Sequence, residues 1–348
     1  MDFAGTLGYP LPASRSPGAT AVSTRPTTPS AALLGRRLLL FTGKGGVGKT
    51  TVVAALALEA ARAGRRPLIV ELGHRASMEG VFATDRIGYE PREVGRGVWA
   101  MNLDFESALA EYFEEHIPVK RVARAIMRNK TLQKFFDAAP SVAEVATLNK
   151  LSLLEAERDP ADRSKPRWDP LLVDLDATGH AIMLLNLPSV MNGLIGDGPM
   201  RRLIDGFSSL LTDRRRTVLS LVTLPRELPA QETLELWQRL SKHHDVALGT
   251  LFVNQVPPRP LSPAEAGLLD QLQARAQAES FETLVDDVAL ARRAMRYHAN
   301  ARAQINRMRK EIGMPMVEVP TVTGQLDLDA LDGLGRDIIR VMDTEAAP

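Results

Sequence analysis

Residues 43–50 read Gly-Lys-Gly-Gly-Val-Gly-Lys-Thr, and this segment decides the fold. It matches the phosphate-binding loop pattern of a glycine, four residues and then Gly-Lys-Thr. The apolar run at 37–42 comes before it and is typical of a buried parallel strand. The alanine- and leucine-rich segment 51–63 comes after it and predicts a helix that ends at Gly64. These flanks favour a phosphate-binding loop over a chance glycine-rich turn.

The pattern predicts phosphate binding through the loop backbone. Glycines let successive N–H groups point inward, and the helix that begins near Gly48 adds the positive end of its dipole. Lys49 is expected to reach the β and γ phosphates, and the Thr50 hydroxyl to ligate Mg²⁺. The second lysine, Lys44, leaves the loop on the opposite side and is placed to reach across a dimer interface. The predicted nucleotide-binding residues of the loop are Gly43, Lys44, Gly45, Gly46, Val47, Gly48, Lys49, Thr50 and Thr51.

Composition limits the class of protein. The chain has 348 residues, of which 45% are hydrophobic and 24% charged, as in ordinary globular proteins. Its 43 Lys and Arg against 42 Asp and Glu give a net charge of +1, which argues against a large nucleic-acid-binding surface. The chain has no cysteine, so disulfides, Fe–S clusters and thiolate metal sites are excluded. We therefore predict a cytoplasmic protein that does not bind nucleic acid.

The N-terminal segment 1–35 is predicted to be a disordered tail. Its first 32 residues are rich in Pro, Ser, Thr, Ala and Gly and carry too few apolar side chains to offset the entropy of ordering them. The chain contains no run of 18 apolar residues, so no membrane span is predicted.

The rest of the chain predicts an α/β fold with a mainly parallel sheet and helices on both faces. Apolar strand-like runs alternate with helical segments, a pattern that implies right-handed crossovers and ligand binding at the carboxyl ends of the strands. The predicted strands after the first are 67–72, 97–102, 170–174, 217–222, 248–253 and 316–319, and 229–243 is one of the helices.

Two helical inserts are expected in this P-loop domain, which we place at 36–348. The first covers about 106–167, with helices at 106–116, 119–128, 132–136 and 142–157. The second covers about 190–211. Together they are predicted to form a helical subdomain over the sheet.

Two strand ends add candidate nucleotide contacts. Asp174 follows a buried strand, where P-loop folds place the carboxylate that holds Mg²⁺ or its water, and Gly179 would let the following loop move. The alternative is that Asp174 only caps the strand. Asn254 also follows a strand and can pair with adenine N6 and N7. On residue chemistry alone, a turn-forming asparagine before Pro257 is the better interpretation.

Taken together, these segments resemble the ArsA family of arsenite-pump ATPases and targeting factors for tail-anchored membrane proteins. The resemblance rests on the loop with Lys44, on Asp-Leu-Asp-Ala-Thr-Gly-His at 174–180, where the family usually has Asp-Thr-Ala-Pro-Thr-Gly-His, and on Val-Asn-Gln at 253–255. Segments 138–144 and 222–233 also look like the family, and the likeness extends from about Arg37 to the end of the chain.

The resemblance implies a homodimer of P-loop domains that binds ATP and Mg²⁺ near the interface. It implies that Lys44 contacts the partner's nucleotide and that Asn254 selects adenine. The predicted catalytic residues are Lys44, Lys49, Glu71 and Asp174, and the predicted Mg²⁺ ligands are Thr50 and Asp174.

Two departures from the family matter. The family has Asp-Pro-Ala after the second strand, and its aspartate positions the attacking water, but here that position falls on Gly73. Glu71 lies two residues earlier on the same side of the strand, so it either orients water or is only structural. His74 is a weaker candidate. The absence of cysteine also rules out the thiolate metalloid site of the arsenite pumps.

Three functions are therefore considered. The first is an ATP-hydrolysing switch that couples its nucleotide state to a helical surface for an unknown protein client or membrane partner. The second is a nucleotide-gated binding protein with little or no turnover. The third is a positioning ATPase of the ParA or MinD type, ranked last because the chain ends in an acidic, helix-breaking segment. The apolar face of segment 200–211, which includes Phe207, is either internal core or part of a client groove.

Overall fold

The computed structural model describes residues 28–73, 77–116, 140–175, 178–193, 196–243, 245–279 and 281–345. The strands in these ranges are β1 Leu38–Thr42, β2 Leu68–Leu72, β3 Arg92–Gly95, β4 Val98–Leu103, β5 Leu171–Asp174, β6 Thr217–Thr223, β7 Leu248–Val256 and β8 Met316–Pro320. The helices are α1 Pro29–Leu34, α2 Lys49–Arg62, α3 Ser77–Phe82, α4 Phe105–His116, α5 Pro140–Ala156, α6 Thr178–Asn192, α7 Pro199–Thr212, α8 Glu227–His243, α9 Pro263–Ala278, α10 Glu282–Glu311 and α11 Leu328–Glu345.

The eight strands form one sheet in the order β3-β4-β2-β5-β1-β6-β7-β8. Every pairing is parallel except that of β3 with β4, so the predicted mainly parallel α/β fold is confirmed. Strand β1 lies between β5 and β6, and β5 lies between β1 and β2. The carboxyl ends of β1, β2 and β5 are therefore neighbours.

The core is divided between the two faces of the sheet. Leu38 and Leu40 of β1 join a cluster with apolar side chains of α4–α8 and α10. Leu39 and Phe41, which point the other way, join a second cluster with α1, α2, α3 and α11. Alternation of side chains along a strand that is buried on both sides explains the continuous apolar run of β1. The predicted helices on both faces are thus present.

The helical inserts differ from the prediction in their bounds. Helices α4 and α5 match the first and last predicted helices of the first insert, whereas 119–128 and 132–136 lie outside the described residues. The described residues between β5 and β6 form two helices, and the first of them, α6, begins at Thr178 rather than near 190. Pro188 lies inside α6, and a proline usually ends a helix, so the sequence pattern concealed this element.

The apolar face of α7 is core and not a client groove. Ile204 and Phe207 are 0% and 1% exposed, and both belong to the cluster that packs on the sheet. Met200, on the first turn, is 40% exposed. Of the two interpretations of this face, internal core is the one that the packing supports.

The disordered tail was predicted to extend to residue 35, but its last residues form a helix. Residues 29–34 form α1, which starts with Thr28 as N-cap and packs Leu33 into the core. Its Ser30 donates backbone and hydroxyl hydrogen bonds to Asp343 of α11. Residues 1–27 lie outside the described residues. Within the described part of the chain, no helix combines the length and the apolar character that crossing a membrane requires.

Candidate functional site

The phosphate-binding loop joins the end of β1 to the start of α2. A Cβ added to Gly43 would lie 2.1 Å from the carbonyl oxygen of Val222 in β6, so only glycine fits where the loop leaves the sheet. A Cβ added to Gly45 or Gly46, by contrast, would meet no heavy atom within 4 Å. This open space beside the loop backbone suits phosphate groups. Thr51, half-buried, lies in the first turn of α2.

Lys49 extends its side chain across the loop. It is 7% exposed, and its Nζ donates to the carbonyl oxygens of Gly43 at 3.2 Å and Lys44 at 3.4 Å. The ammonium group therefore lies within the curve of the loop. Its charge is placed where the pattern predicts phosphate oxygens.

Thr50 and Asp174 meet between β1 and β5. The Thr50 Oγ1 donates to Asp174 Oδ2 at 2.6 Å, although Thr50 lies in the first turn of α2 and Asp174 at the end of β5. A hydroxyl and a carboxylate are hard oxygen ligands of the kind that Mg²⁺ takes together with substrate phosphates. The pair therefore fits the predicted Mg²⁺ site.

Glu71 enters the same cleft from β2. The β2–β5 register places it beside Asp174, and the cleft is lined by Lys49, Thr50, Glu71, Leu72, Ser77, Asp174 and Leu175. The four residues predicted for catalysis are thus not all together: Lys49, Glu71 and Asp174 line the cleft, whereas Lys44 lies elsewhere on the loop.

The Glu71 carboxylate is buried and held by the start of α3. It is 3% exposed, and its Oε1 accepts a hydrogen bond from the Ser77 backbone N–H at 2.9 Å. The Asn102 amide donates to Oε2 at 3.5 Å. Burial raises the pKa of Glu71, and hydrogen bonds from Ser77 and Met78 oppose that rise. Glu71 therefore links the end of β2 to the start of α3, and both interpretations of its role stay open.

Gly73 stands where the resemblance places the family's aspartate, and its backbone has a conformation that favours glycine. Gly73 has φ +91°, in the region that favours glycine, and its N–H donates to Leu103 at 3.3 Å. His74, the weaker candidate, lies outside the described residues.

Lys44 is paired within its own chain. Its Nζ donates to Glu232 Oε1 of α8 at 2.5 Å, and the two side chains are 53% and 28% exposed. An exposed ion pair contributes only about 0–1 kcal/mol. If Lys44 left Glu232 for a group on another molecule, the loss of this ion pair would therefore cost little free energy.

Asn254, near the end of β7, contacts the phosphate-binding loop. It is 4% exposed, and its Nδ2 donates to the Val47 carbonyl oxygen at 2.9 Å. Its Oδ1 accepts from the Gln255 backbone N–H, also at 2.9 Å. The predicted contact with adenine stays a prediction, since this side chain faces the loop backbone.

Sequence reasoning missed Ser77, Asn102 and Glu232 as neighbours of the site. Ser77 carries the residue type that begins helices, and this signal could have placed α3 directly after the loop. Asn102 lies opposite Glu71 only through the β2–β4 register, which no local pattern reveals.

Comparisons with known proteins identify the family. The profile of the anion-transporting ATPase (ArsA) family matches residues 36–202, which include the loop, Glu71 and Asp174. ATPase BagA of Mycobacterium tuberculosis is 30% identical over 321 residues, covering 88% of this chain and 93% of its own. Arsenical pump-driving ATPases of Acidiphilium multivorum and Escherichia coli are 28% and 29% identical, over 59% and 46% of this chain and 37% and 27% of their own. The loop, the residues at the strand ends and these relatives together show that the chain belongs to the ArsA family of P-loop ATPases.

Proposed function

We propose that this protein is a dimeric switch that binds and hydrolyses Mg·ATP and couples the nucleotide state to a client. The observation that carries the proposal is the meeting of three strand ends in one cleft. Strand β1 brings Lys49 and Thr50 through the loop, β2 brings Glu71, and β5 brings Asp174. These are a cation for phosphate charge, a pair of metal ligands and a second carboxylate beside them.

Each of these side chains would have its own role in nucleotide binding. Lys49 and the N-terminus of α2 would stabilise the charge of the phosphates. Thr50 and Asp174 would hold Mg²⁺, which neutralises charge on the phosphate oxygens when bound. Glu71 would orient the attacking water. It would thus take the role of the family's aspartate, whose position is occupied here by Gly73.

Coupling to a client is supported by the position of α6. This helix begins at Thr178, four residues after Asp174, and packs against α7. A shift of the β5 end between nucleotide states would move α6 directly. The two helices also expose apolar side chains, since Met183 and Val190 of α6 are 39% and 53% exposed and Met200 of α7 is 40% exposed. We expect the client, a protein or membrane partner, to contact these helices, in a cytoplasmic setting.

The alternative of a gated binding protein with little turnover also has an observation in its favour. Gly73 occupies the position of the family's water-positioning aspartate, and Glu71 is tied to Ser77. The third function, a positioning ATPase that binds membranes through a C-terminal helix, has less support. Helix α11 buries Leu331, Leu334 and Ile338 in the core, so these side chains are not offered to a membrane.

The test of nucleotide binding is Lys49→Ala. Because the substitution removes the cation inside the loop, we expect Mg·ATP affinity or turnover to fall by at least about a hundredfold. Calorimetry and phosphate release would measure the two effects. Lys165→Ala is the matched control, since Lys165 is 72% exposed in the loop before β5, at the other end of the strands. Unchanged ATP binding and hydrolysis in the Lys49 variant would overturn the site assignment.

A further inference from the structure

Helices α9 and α10 form an antiparallel hairpin that stands apart from the two core clusters. A short turn joins the helices, and they pack against each other. The second half of α10 reaches the core through Ile305 and Met308, whereas Leu269, Ala276 and Val288 are buried in the hairpin but belong to neither core cluster. The hairpin therefore has its own narrow apolar seam between its two helices.

The hairpin also exposes a large share of the protein's uncovered apolar side chains. Of the ten large apolar side chains that are exposed in the described residues, five lie in it: Leu268 at 50%, Leu272 at 40%, Phe281 at 51%, Leu290 at 65% and Tyr297 at 44%. Exposed apolar side chains that lie next to one another usually mark an interaction site.

Four of these side chains lie on one side of the hairpin. Each comes directly before a buried or half-buried position of the seam, in the pairs 268–269, 272–273, 290–291 and 297–298. In two antiparallel helices, the same step along each chain leads from the seam to the same side. Asp270 and Arg292 directly follow seam positions and should share the opposite side, and they do form an ion pair, at 2.5 Å.

The stripe that α10 contributes to this side is complementary to itself. Its members follow one another at intervals of four, three and four residues, and they are Asp286, Leu290, Arg293 and Tyr297. Leu290 lies midway between the acid and the base, and both charged side chains are exposed. A second copy turned by 180° about an axis near Leu290 would therefore bring Asp286 of each copy to Arg293 of the other.

The charges identify a second copy of this chain as the occupant. The exposed carboxylates Glu282, Asp286 and Asp287 lie at the start of α10, and the exposed Arg293 and Arg296 lie further along it. A surface that is acidic at one end and basic at the other attracts its own copy in the antiparallel orientation.

We propose that two copies of this chain associate through the apolar side of the α9–α10 hairpin and that this contact forms without nucleotide. Two hairpins packed in this way make an antiparallel four-helix bundle, an arrangement that buries the apolar stripes of both. The contact is separate from the nucleotide-dependent one proposed for Lys44, and it does not rest on the proposed function.

The first test is Leu290→Glu, studied by sedimentation velocity of the full chain without nucleotide over a range of concentrations. The wild type should form a dimer. The variant should dimerise at least about tenfold more weakly, because each dimer would bury the new carboxylate twice in its apolar centre. Leu153→Glu is the matched control, since Leu153 is 38% exposed on α5, and it should match the wild type. Circular dichroism should be the same for all three proteins.

The second test exchanges the charges. Asp286→Arg and Arg293→Asp should each weaken the dimer, because each places like charges opposite one another, and the double variant should recover most of the loss. The two positions are seven residues, or about 10 Å, apart along one helix. Recovery in the double variant would therefore come from pairing between copies and not within one chain.

Three results would overturn the inference. The first is a wild type that stays monomeric without nucleotide at every concentration, which would leave this face to a different partner. The second is a Leu290→Glu variant that dimerises as well as the wild type. The third is loss of the nucleotide-free dimer in Lys44→Ala, which would place the contact at the loop. None of these results bears on nucleotide binding, so the proposed function would fail or hold independently.

Discussion

Glu71 is the residue on which turnover depends in the proposed function. Its carboxylate lies beside Asp174 in the cleft, which is where a group that orients water is needed. The same carboxylate accepts from the Ser77 N–H and so fixes the start of α3. The substitution that separates these roles must keep the acceptor and remove the negative charge.

Glu71→Gln is that substitution. The glutamine oxygen can still accept from Ser77, so the start of α3 should stay in place and ATP affinity should change little. If the carboxylate orients water, hydrolysis should fall by about a hundredfold or more. Single-turnover phosphate release and calorimetry with Mg·ATP would measure the two quantities.

Glu79→Gln is the control, because Glu79 Oε1 accepts from the Ile87 N–H in the same way and does not line the cleft. Hydrolysis at the wild-type rate in both variants would mean that Glu71 is only structural. Absence of hydrolysis in the wild type itself would favour the gated binding protein.

At this scale, the sequence predicts the contiguous part of the site and misses its long-range contacts. Lys49 and Thr50 belong to one short motif with fixed backbone roles, so eight residues suffice to place them. The bonds from Asn254 to Val47 and from Lys44 to Glu232 join residues 207 and 188 positions apart. Such pairs form only after the strands have their order, and no local pattern contains that order.

At the scale of elements, α7 shows how one helix divides between core and surface. Phe207 is 1% exposed and packs on the sheet, whereas Met200 is 40% exposed on the same helix. The amphipathic period predicts an apolar face but does not say what covers it. Here the covering element is the sheet with its neighbouring helices.

Phe207→Ala should therefore destabilise the fold strongly. Removal of a fully buried ring leaves a cavity, and we expect the free energy of unfolding to fall by about 3–5 kcal/mol. Met200→Ala on the same helix should lower it by less than about 1 kcal/mol. Urea denaturation followed by circular dichroism would measure both. Equal, small effects of the two substitutions would show that the face of α7 is not core.

Other elements escaped prediction for physical reasons. Strand β3 has only four residues and buries only Val94, so its pattern is too short to recognise. Helix α11 contains two glycines, which disfavour a helix. A Cβ at Gly335 would lie 2.7 Å from the Ala55 carbonyl oxygen of α2, so this glycine permits close helix packing. The spacing of Leu331, Leu334 and Ile338 was the signal that could have revealed α11.

At the scale of the whole molecule, the site lies at the carboxyl ends of three central strands, and helices cover both faces of the sheet. The nucleotide loop leads into α2 on one face, whereas α6 and α7 pack on the other. The cleft between β1, β2 and β5 thus touches both layers. In the proposed switch, a ligand that alters the cleft would shift α6 and α7, whereas α2 would stay packed against α11.

The remaining question at this scale is how two such molecules meet. Lys44 is exposed on the loop and paired with Glu232 of α8 in the same chain. In the proposed dimer it would leave Glu232 and stabilise phosphate charge on the partner, as an arginine finger does. Since the exposed pair contributes at most about 1 kcal/mol, it opposes this exchange by no more than about fivefold per protomer.

Lys44→Ala should then retain Mg·ATP binding and lose both hydrolysis and ATP-dependent dimerisation, because its charge acts only on the partner's nucleotide. Glu232→Gln should dimerise at the same or a few-fold lower concentration, because it releases Lys44 from its own chain. Glu235→Gln, one turn further along α8, is the control and should match the wild type. Sedimentation velocity with Mg·ADP and with Mg·ATP would measure the dimer. A wild type that stays monomeric with Mg·ATP at every concentration would rule out the action of Lys44 across an interface.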